Sequence, residues 1–167
     1  MDFNRKMETL LKQISLNDLP SVVSLPIWEK KNNIGESFWG VSNFCGCIGK
    51  KPTSIQGKNL TDLEWDGNEI NINRWELKED NKDRTYILLD VLSEALSLVL
   101  DWKLQLEKGY ASINFDIVLS VSEGDEEILP SVTVRFYAVR DYYHYISSDI
   151  KNLESNSQPI LIQQVNY

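Results

Sequence analysis

The chain has 167 residues, of which 17 are basic and 25 are acidic, so its formal net charge is −8. Such an acidic protein is poorly suited to bind nucleic acid or an anionic membrane, because both attract Lys and Arg. Its length, with 42% hydrophobic and 25% charged residues, indicates one globular domain that spans residues 1–167.

The two cysteines and the N-terminal residues indicate in which cellular compartment the protein is expected. The start of the chain lacks the apolar segment of a secretory signal, and no apolar run is long enough to cross a membrane. Cys45 and Cys47 are too few for a disulfide framework and favour a reducing cytoplasm. They also lack the further nitrogen or sulfur ligands that complete a zinc site. We therefore expect a cytoplasmic protein with no metal and no other cofactor, in which both thiols pack in the interior.

The first half of the chain mixes a helix with extended segments. Apolar residues at helical spacing predict an amphipathic helix over residues 2–16, with Asp2 as its N-cap. The flanking prolines indicate a short extended passage at Ser21–Leu25, and the polar residues Glu29–Gly35 indicate a loop. Aromatic and β-branched residues then predict a strand over Phe38–Ile48.

A hairpin is predicted over Leu63–Ile72. The dipeptide Asp66-Gly67 tolerates the positive φ of a tight turn, and short runs that contain apolar residues flank it on both sides.

The segment Asp83–Gly109 is predicted to form one long helix, capped by Asp83 and terminated near Gly109. A wide apolar face requires that a sheet or other elements cover most of its circumference. The apolar seam consists of Leu88, Leu92, Ala95, Val99, Trp102 and Leu106. The opposite polar stripe consists of Asp90, Glu94, Ser97, Asp101, Gln105 and Lys108.

After this helix the apolar residues alternate, which is typical of strands with one buried face. Residues 112–121 and 132–138 are predicted to pair as a long antiparallel hairpin, and Ile160–Val165 to form a short last strand at an edge. The expected fold class is α+β, in which an antiparallel sheet of about five or six strands wraps one long central helix and an amphipathic helix precedes it.

Two segments are candidates for contact with a partner. The tip of the predicted hairpin carries Glu123, Asp125, Glu126 and Glu127. They lack the ligand spacing of an EF-hand, so they serve either to attract a basic protein or simply to keep the turn in solvent. The segment with Arg140, Tyr142 and Tyr143 has the tyrosine and arginine content of interface hot spots, although an ordinary strand would also accommodate it.

His144 is the only histidine and the only candidate general base, for which a carboxylate such as Asp141 could orient the ring. No serine or cysteine lies in the sequence context of a nucleophile, and a lone histidine more often has a structural role. We therefore predict no catalytic residue.

The stretch Ser112–Ile146, with its acidic tip and its tyrosine-rich end, resembles bacterial immunity proteins of contact-dependent growth inhibition and related polymorphic toxin systems. The resemblance implies a protein that binds a cognate toxin, often a basic nuclease, and blocks its active site or partner surface. Two alternatives remain open, a small enzyme that uses His144 and a structural or adaptor subunit that uses the apolar helix face. The residues expected to contact the toxin are Glu123, Asp125, Glu126, Glu127, Arg140, Tyr142 and Tyr143.

Overall fold

The computed structural model describes residues 1–41, 54–77, 83–146 and 158–167. In these ranges the helices are α1 (Arg5–Leu11), α2 (Lys58–Gly67) and α3 (Arg84–Gly109). The strands are β1 (Asp2–Phe3), β2 (Trp28–Lys31), β3 (Ser37–Gly40), β4 (Ile70–Ile72), β5 (Phe115–Ser122), β6 (Ser131–Ala138) and β7 (Ile160–Val165).

An antiparallel five-stranded sheet forms the centre of the molecule, with the strand order β1-β7-β5-β6-β4. The long helix α3 packs across one face of this sheet, and β2 and β3 form a separate two-stranded ribbon. The predicted α+β class is confirmed.

Helix α3 is the predicted long helix, and the Asp83 side chain caps it by accepting the backbone N–H groups of Thr85 and Tyr86. Its apolar seam packs on the alternate side chains of the sheet, and Trp102 lies edge-on to Phe136 with ring centroids 5.1 Å apart. The predicted hairpin of β5 and β6 is also confirmed, with Phe115 opposite Ala138 and Ser122 opposite Ser131.

The polar stripe of α3 is not a free acidic surface, because other segments hydrogen-bond to it. Arg74 binds Asp90 and Glu94 at 2.8 and 2.6 Å. The segment that follows Pro20 lies along the rest of the stripe: Ser97 donates to the Pro20 carbonyl, and Gln105 accepts the Ile27 N–H.

The N-terminal helix is shorter than predicted. Asp2 and Phe3 pair with Ile162 and Leu161 of β7, so the chain is still extended where the prediction began the helix. Asn4 is the actual N-cap, and its side chain accepts the Met7 N–H at 3.0 Å. The prediction of Asp2 as cap was wrong because pairing with a distant strand cannot be recognised from local spacing.

The predicted hairpin at Asp66-Gly67 was wrong, because these residues end helix α2. Leu60, Leu63 and Gly67 are buried at helical spacing, and Gly67 does not adopt the positive φ that a hairpin turn would use. The strand that follows, β4, pairs with β6 and not with the residues before the dipeptide.

Three further expectations are corrected. Part of the predicted loop Glu29–Gly35 belongs to strand β2, which pairs with β3. The last strand β7 lies between β1 and β5 and is therefore not an edge. The hairpin β5–β6 is buried on both faces, since Val118 and Tyr137 form a second small cluster with Ile162 on the side away from α3. Beyond β3, the predicted strand up to Ile48 falls mostly outside the described residues, as do Cys45 and Cys47.

Candidate functional site

The predicted contact residues lie at opposite ends of the β5–β6 hairpin. The tip of the hairpin follows Ser122, whereas the tyrosine-rich segment follows Ala138 at the other end of the same strands. Seven residue steps of an antiparallel strand separate the two ends by about 24 Å. The acidic and aromatic residues therefore form two surfaces, not one patch.

The acidic tip (Glu123, Asp125, Glu126, Glu127) is exposed and ordered by hydrogen bonds. The Asp125 carboxylate accepts the N–H groups of Glu127 and Ile128 at 2.9 and 3.0 Å, and Arg84 at the start of α3 donates to the Ile128 carbonyl. Gly124 adopts φ +71°, where a Cβ would lie 2.1 Å from the Ile128 oxygen. Asp125 thus holds the loop, while its three acidic neighbours face solvent.

Exposed apolar side chains that the sequence analysis did not single out lie at the same end. Ile128 belongs to the tip, Tyr86 to the first turn of α3, and Trp75 follows the Arg74 that binds α3. A large exposed side chain has no recognisable sequence pattern, so only the structure identifies these three.

The segment Arg140–Tyr145, here named the aromatic turn, contains an unusual backbone. Asp141 and Tyr142 both lie in the left-handed region, at φ +52° and +57°, and the Tyr143 N–H donates to the Arg140 carbonyl at 2.9 Å. This is the geometry of a type I′ turn, which favours Asn-Gly. A non-glycine residue costs roughly 1–2 kcal/mol in that region. Tyr142 is nonetheless 94% exposed and projects into solvent.

Three side chains anchor the aromatic turn to the protein. Arg140 is bound by Glu64, and His144 by Asp116. Tyr145 stacks on Trp65 with ring centroids 4.3 Å apart and donates to Asp62 at 3.0 Å. The turn is therefore rigidly held on both sides of Tyr142.

The first anchor is a buried ion pair. Both Glu64 carboxylate oxygens accept from the Arg140 guanidinium, at 2.7 and 2.9 Å, and they also accept the backbone N–H groups of Trp39 and Ala138. Burial raises the pKa of Glu64, and the hydrogen bonds from Arg140 and the backbone oppose that rise. The terminal nitrogens of Arg140 also donate to Ser37 and Thr61, so Arg140 supports the turn from inside the protein.

The second anchor brings a histidine to a buried carboxylate. His144 Nδ1 lies 2.7 Å from Asp116 Oδ2, and the hydroxyls of Tyr137 and Tyr167 donate to the same carboxylate at 2.9 and 2.8 Å. Burial and the charge of Asp116 raise the pKa values of both tyrosines. The carboxylate expected beside His144 was Asp141, which instead lies exposed in the aromatic turn.

A cleft of about 780 Å³ opens beside Arg140. Its walls come from the ribbon β2–β3, the C-terminal end of α3 and the end of β6. Trp39 and Tyr110 form an aromatic part of the lining, and their rings meet edge-on at 5.8 Å. Glu29 of β2 and Glu36, which precedes β3, also border the cleft; the Glu36 carboxylate is bound by Asn32 and the Gly57 N–H on the other face of the ribbon.

Among the described residues no group of three or more His, Cys, Asp and Glu side chains could hold a metal ion. No helix of the described ranges is long and apolar enough to cross a membrane.

Known proteins give no guide to this site. Comparisons with protein families, with characterised proteins and with solved structures find no significant match to the chain. Any functional assignment must therefore come from the geometry above.

Sequence reasoning missed the two buried carboxylates behind the aromatic turn. Glu64 occupies a position that shares the buried face of α2 with Leu60 and Leu63, and a carboxylate on an apolar helical face was the available signal. Asp116 alternates with apolar residues in β5, so it resembled an ordinary solvent-facing residue of a strand.

Proposed function

We propose that this chain is a cytoplasmic immunity protein that binds a cognate basic toxin domain, such as a nuclease, and neutralises it by occupying its surface. The observation that carries the proposal is the aromatic turn, which holds Tyr142 94% exposed on a strained and anchored backbone. Strained backbone kept in place by its surroundings is characteristic of functional sites.

The physical chemistry of the aromatic turn suits a protein partner. A tyrosine offers a large contact area with few rotatable bonds, and tyrosines are enriched among interface hot spots. Because the three anchors already fix the turn, binding loses little conformational entropy there. Tyr143, which is 38% exposed, extends the contact area beside Tyr142.

The acidic tip has a separate role in this proposal. A separation of about 24 Å is about three times the Debye length of about 8 Å at physiological salt, so the tip adds little to contacts made at the aromatic turn. Its charges, within a net charge of −8, instead attract the basic surface of a toxin that approaches the tip and so speed the encounter.

The decisive experiment first reads the genes beside that of this chain, where the proposal expects a toxin domain to be encoded, and then tests that domain against the chain. Co-expression of this chain should restore the growth of bacteria that express the toxin domain, and the two purified proteins should form a complex. Tyr142→Ala should raise the dissociation constant about thirtyfold, mainly through faster dissociation. Tyr86→Ala is the matched control, because Tyr86 is a comparably exposed tyrosine at the opposite end. Absence of a complex would refute the proposed function. Equal effects of the two variants on the dissociation constant would refute the aromatic turn as the surface that contacts the toxin.

Charge reversal tests the tip. The combined changes Glu123→Lys, Glu126→Lys and Glu127→Lys should slow association and flatten its salt dependence, with dissociation unchanged. Asp125 is left in place because it holds the loop. The same number of reversals at Glu8, Asp18 and Glu107 controls for net charge. Association that slows equally in both variants would assign the attraction to the whole molecule and not to the tip.

A second candidate function rests on the pair His144 and Asp116. A histidine oriented by a buried carboxylate is the arrangement of a general base. No serine, threonine or cysteine is among the hydrogen-bond partners of His144 in the described part of the chain, so water would be the nucleophile. Hydrolysis of p-nitrophenyl acetate or bis(p-nitrophenyl) phosphate that is lost in His144→Gln would favour this enzyme, whereas toxin binding should survive that change.

A further inference from the structure

Tyr167, two positions after the end of strand β7, is a further exposed tyrosine at the end of the molecule that carries the aromatic turn. It is 59% exposed. In the sheet, Val165 of β7 lies beside Phe115 of β5, which in turn lies beside Ala138 of β6. The aromatic turn follows Ala138, so β6 and β7 bring the turn and Tyr167 to the same end.

Hydrogen bonds of Asn166 and of the Tyr167 hydroxyl fix the position of this tyrosine. The hydroxyl donates to Oδ1 of the buried Asp116 at 2.8 Å. Asn166 adopts φ +65°, and its side-chain amide donates to the carbonyl oxygens of Tyr110 and Ile113 at 3.0 and 2.8 Å. Because Tyr167 is already held in this way, a partner that contacts it loses little conformational entropy on binding.

The surface around Tyr167 is continuous with the aromatic turn. The rings of Tyr167 and His144 have centroids 6.2 Å apart and planes inclined by 30°. His144 follows Tyr142 by two residues, which span at most about 7 Å. One protein partner can therefore contact Tyr142 and Tyr167 together, because a typical interface covers about 800 Å² on each side.

The Asp116 carboxylate holds both parts of this surface. Its Oδ2 accepts from the Tyr137 hydroxyl and lies 2.7 Å from His144 Nδ1, while its Oδ1 accepts from Tyr167. The Tyr137 hydroxyl accepts the Tyr145 N–H at 3.0 Å, which extends the network into the aromatic turn. Burial and the charge of Asp116 raise the pKa of Tyr167, so its hydroxyl keeps the proton that it donates.

The hydrogen bond to Asp116 also determines what the Tyr167 ring attracts. The face of a phenol ring carries partial negative charge and attracts cations. A hydroxyl that donates to a carboxylate is polarised, and the polarisation increases the electron density of the ring. The Tyr167 ring is therefore suited to the arginine and lysine side chains of a basic partner.

We propose that Tyr167 is a contact residue of the partner-binding surface, where its ring receives a basic side chain of the toxin. This inference rests on the proposed function. It extends the contact surface from the aromatic turn across His144 to the end of β7, and it names the side-chain chemistry that the toxin presents there.

Truncation of Tyr167 tests the contact. Tyr167→Ala should raise the dissociation constant for the toxin domain about tenfold, mainly through faster dissociation. Tyr86→Ala is the matched control and should leave the dissociation constant unchanged, because Tyr86 is an exposed tyrosine at the opposite end of the molecule.

The chemistry of the contact is tested at the same position. Tyr167→Phe keeps the ring, whereas Tyr167→Leu keeps apolar surface without an aromatic face. Tyr167→Phe should therefore bind the toxin domain at least about threefold more tightly than Tyr167→Leu. Equal binding of these two variants would overturn the assignment of a basic side chain. If Tyr167→Ala fails to fold, this comparison decides alone.

A purely structural role of Tyr167 predicts a different result. Loss of Tyr167 would then loosen the aromatic turn through Asp116, speed the hydrogen exchange of the Tyr143 N–H that bonds to the Arg140 carbonyl, and weaken binding only through Tyr142. A contact predicts unchanged exchange at Tyr143. It also predicts that Tyr167→Ala still raises the dissociation constant about tenfold in the Tyr142→Ala background. No further effect in that background would overturn the proposal.

Failure of this inference is distinguishable from failure of the proposed function. A toxin domain that binds the unmodified chain and Tyr167→Ala equally well would refute the contact and leave the proposed function standing. Absence of any complex with the unmodified chain would refute the proposed function, and the contact with it.

Discussion

At the scale of single residues, the buried ion pair of Glu64 and Arg140 connects separate parts of the fold. Glu64 is fully buried, and its carboxylate accepts from the backbone of β3 and β6 as well as from Arg140. The side chain of one residue thus joins the ribbon to the main sheet. Asn68 continues the same connection, since it bonds to Val41, Trp39 and Phe136.

Replacing Arg140 by an uncharged residue should show how much its ion pair with Glu64 contributes to the free energy of unfolding. Arg140→Met leaves the buried Glu64 charge unpaired and should lower the free energy of unfolding by about 3–5 kcal/mol. Arg74→Met is the control, because Arg74 pairs with the partly exposed Asp90 and Glu94 and should cost about 1 kcal/mol or less. Urea unfolding followed by circular dichroism measures both.

A double variant refines that test. Glu64→Gln combined with Arg140→Met should be more stable than Arg140→Met alone, because no buried charge remains. Strictly additive losses would mean that Glu64 and Arg140 do not stabilise each other.

The residues of the site were only partly predictable. Tyr142, Tyr143 and the acidic tip were identified because tyrosines and clustered carboxylates are visible in a sequence. Their division between two ends, and the roles of Glu64 and Asp116, depend on strand register and on partners about 28 to 76 positions away. No local pattern encodes such distances.

At the scale of elements, the contrast between α2 and α3 shows what a pattern can predict. Helix α3 has 26 residues and a long apolar seam with a clear cap, so it was predicted almost to the residue. Helix α2 has only 10 residues, and Glu64 interrupts its apolar face. Because Asp66-Gly67 is a strong turn signal, it outweighed so short a pattern.

Replacing the two strained residues of the aromatic turn should raise the stability of the protein but weaken its binding to the toxin. Asp141→Asn with Tyr142→Gly gives the residues that a type I′ turn prefers, and the free energy of unfolding should rise by about 1 kcal/mol. Thermal and urea unfolding measure the gain, and the same variant should bind the toxin domain poorly. A variant that is no more stable than the natural chain would show that the turn stores no strain.

At the scale of the whole molecule, three tyrosines whose hydroxyls donate to carboxylates predict how stability depends on pH. Burial, with the nearby carboxylates, raises the pKa values of Tyr137, Tyr145 and Tyr167 above the unfolded value of about 10. The folded state therefore holds these protons more tightly than the unfolded state. Their contribution is complete below about pH 10 and is lost as the pH rises above it.

Alkaline unfolding tests this statement. The free energy of unfolding, measured in urea between about pH 9 and pH 11, should fall with rising pH. Tyr145→Phe with Tyr167→Phe should make the decline shallower, because two of the three protons no longer contribute. An identical slope in that variant would contradict the assignment.

The placement of β7 has a consequence for synthesis on the ribosome. This strand is the most C-terminal described element, yet it lies inside the sheet between β5 and β1. Until β7 emerges, the nascent polypeptide exposes the edge of β5 that β7 later covers, and β1 has no strand to pair with. An exposed strand edge of this kind can bind chaperones or pair with the wrong strand. The sheet is therefore expected to close only after translation has passed residue 165, in one late and cooperative step.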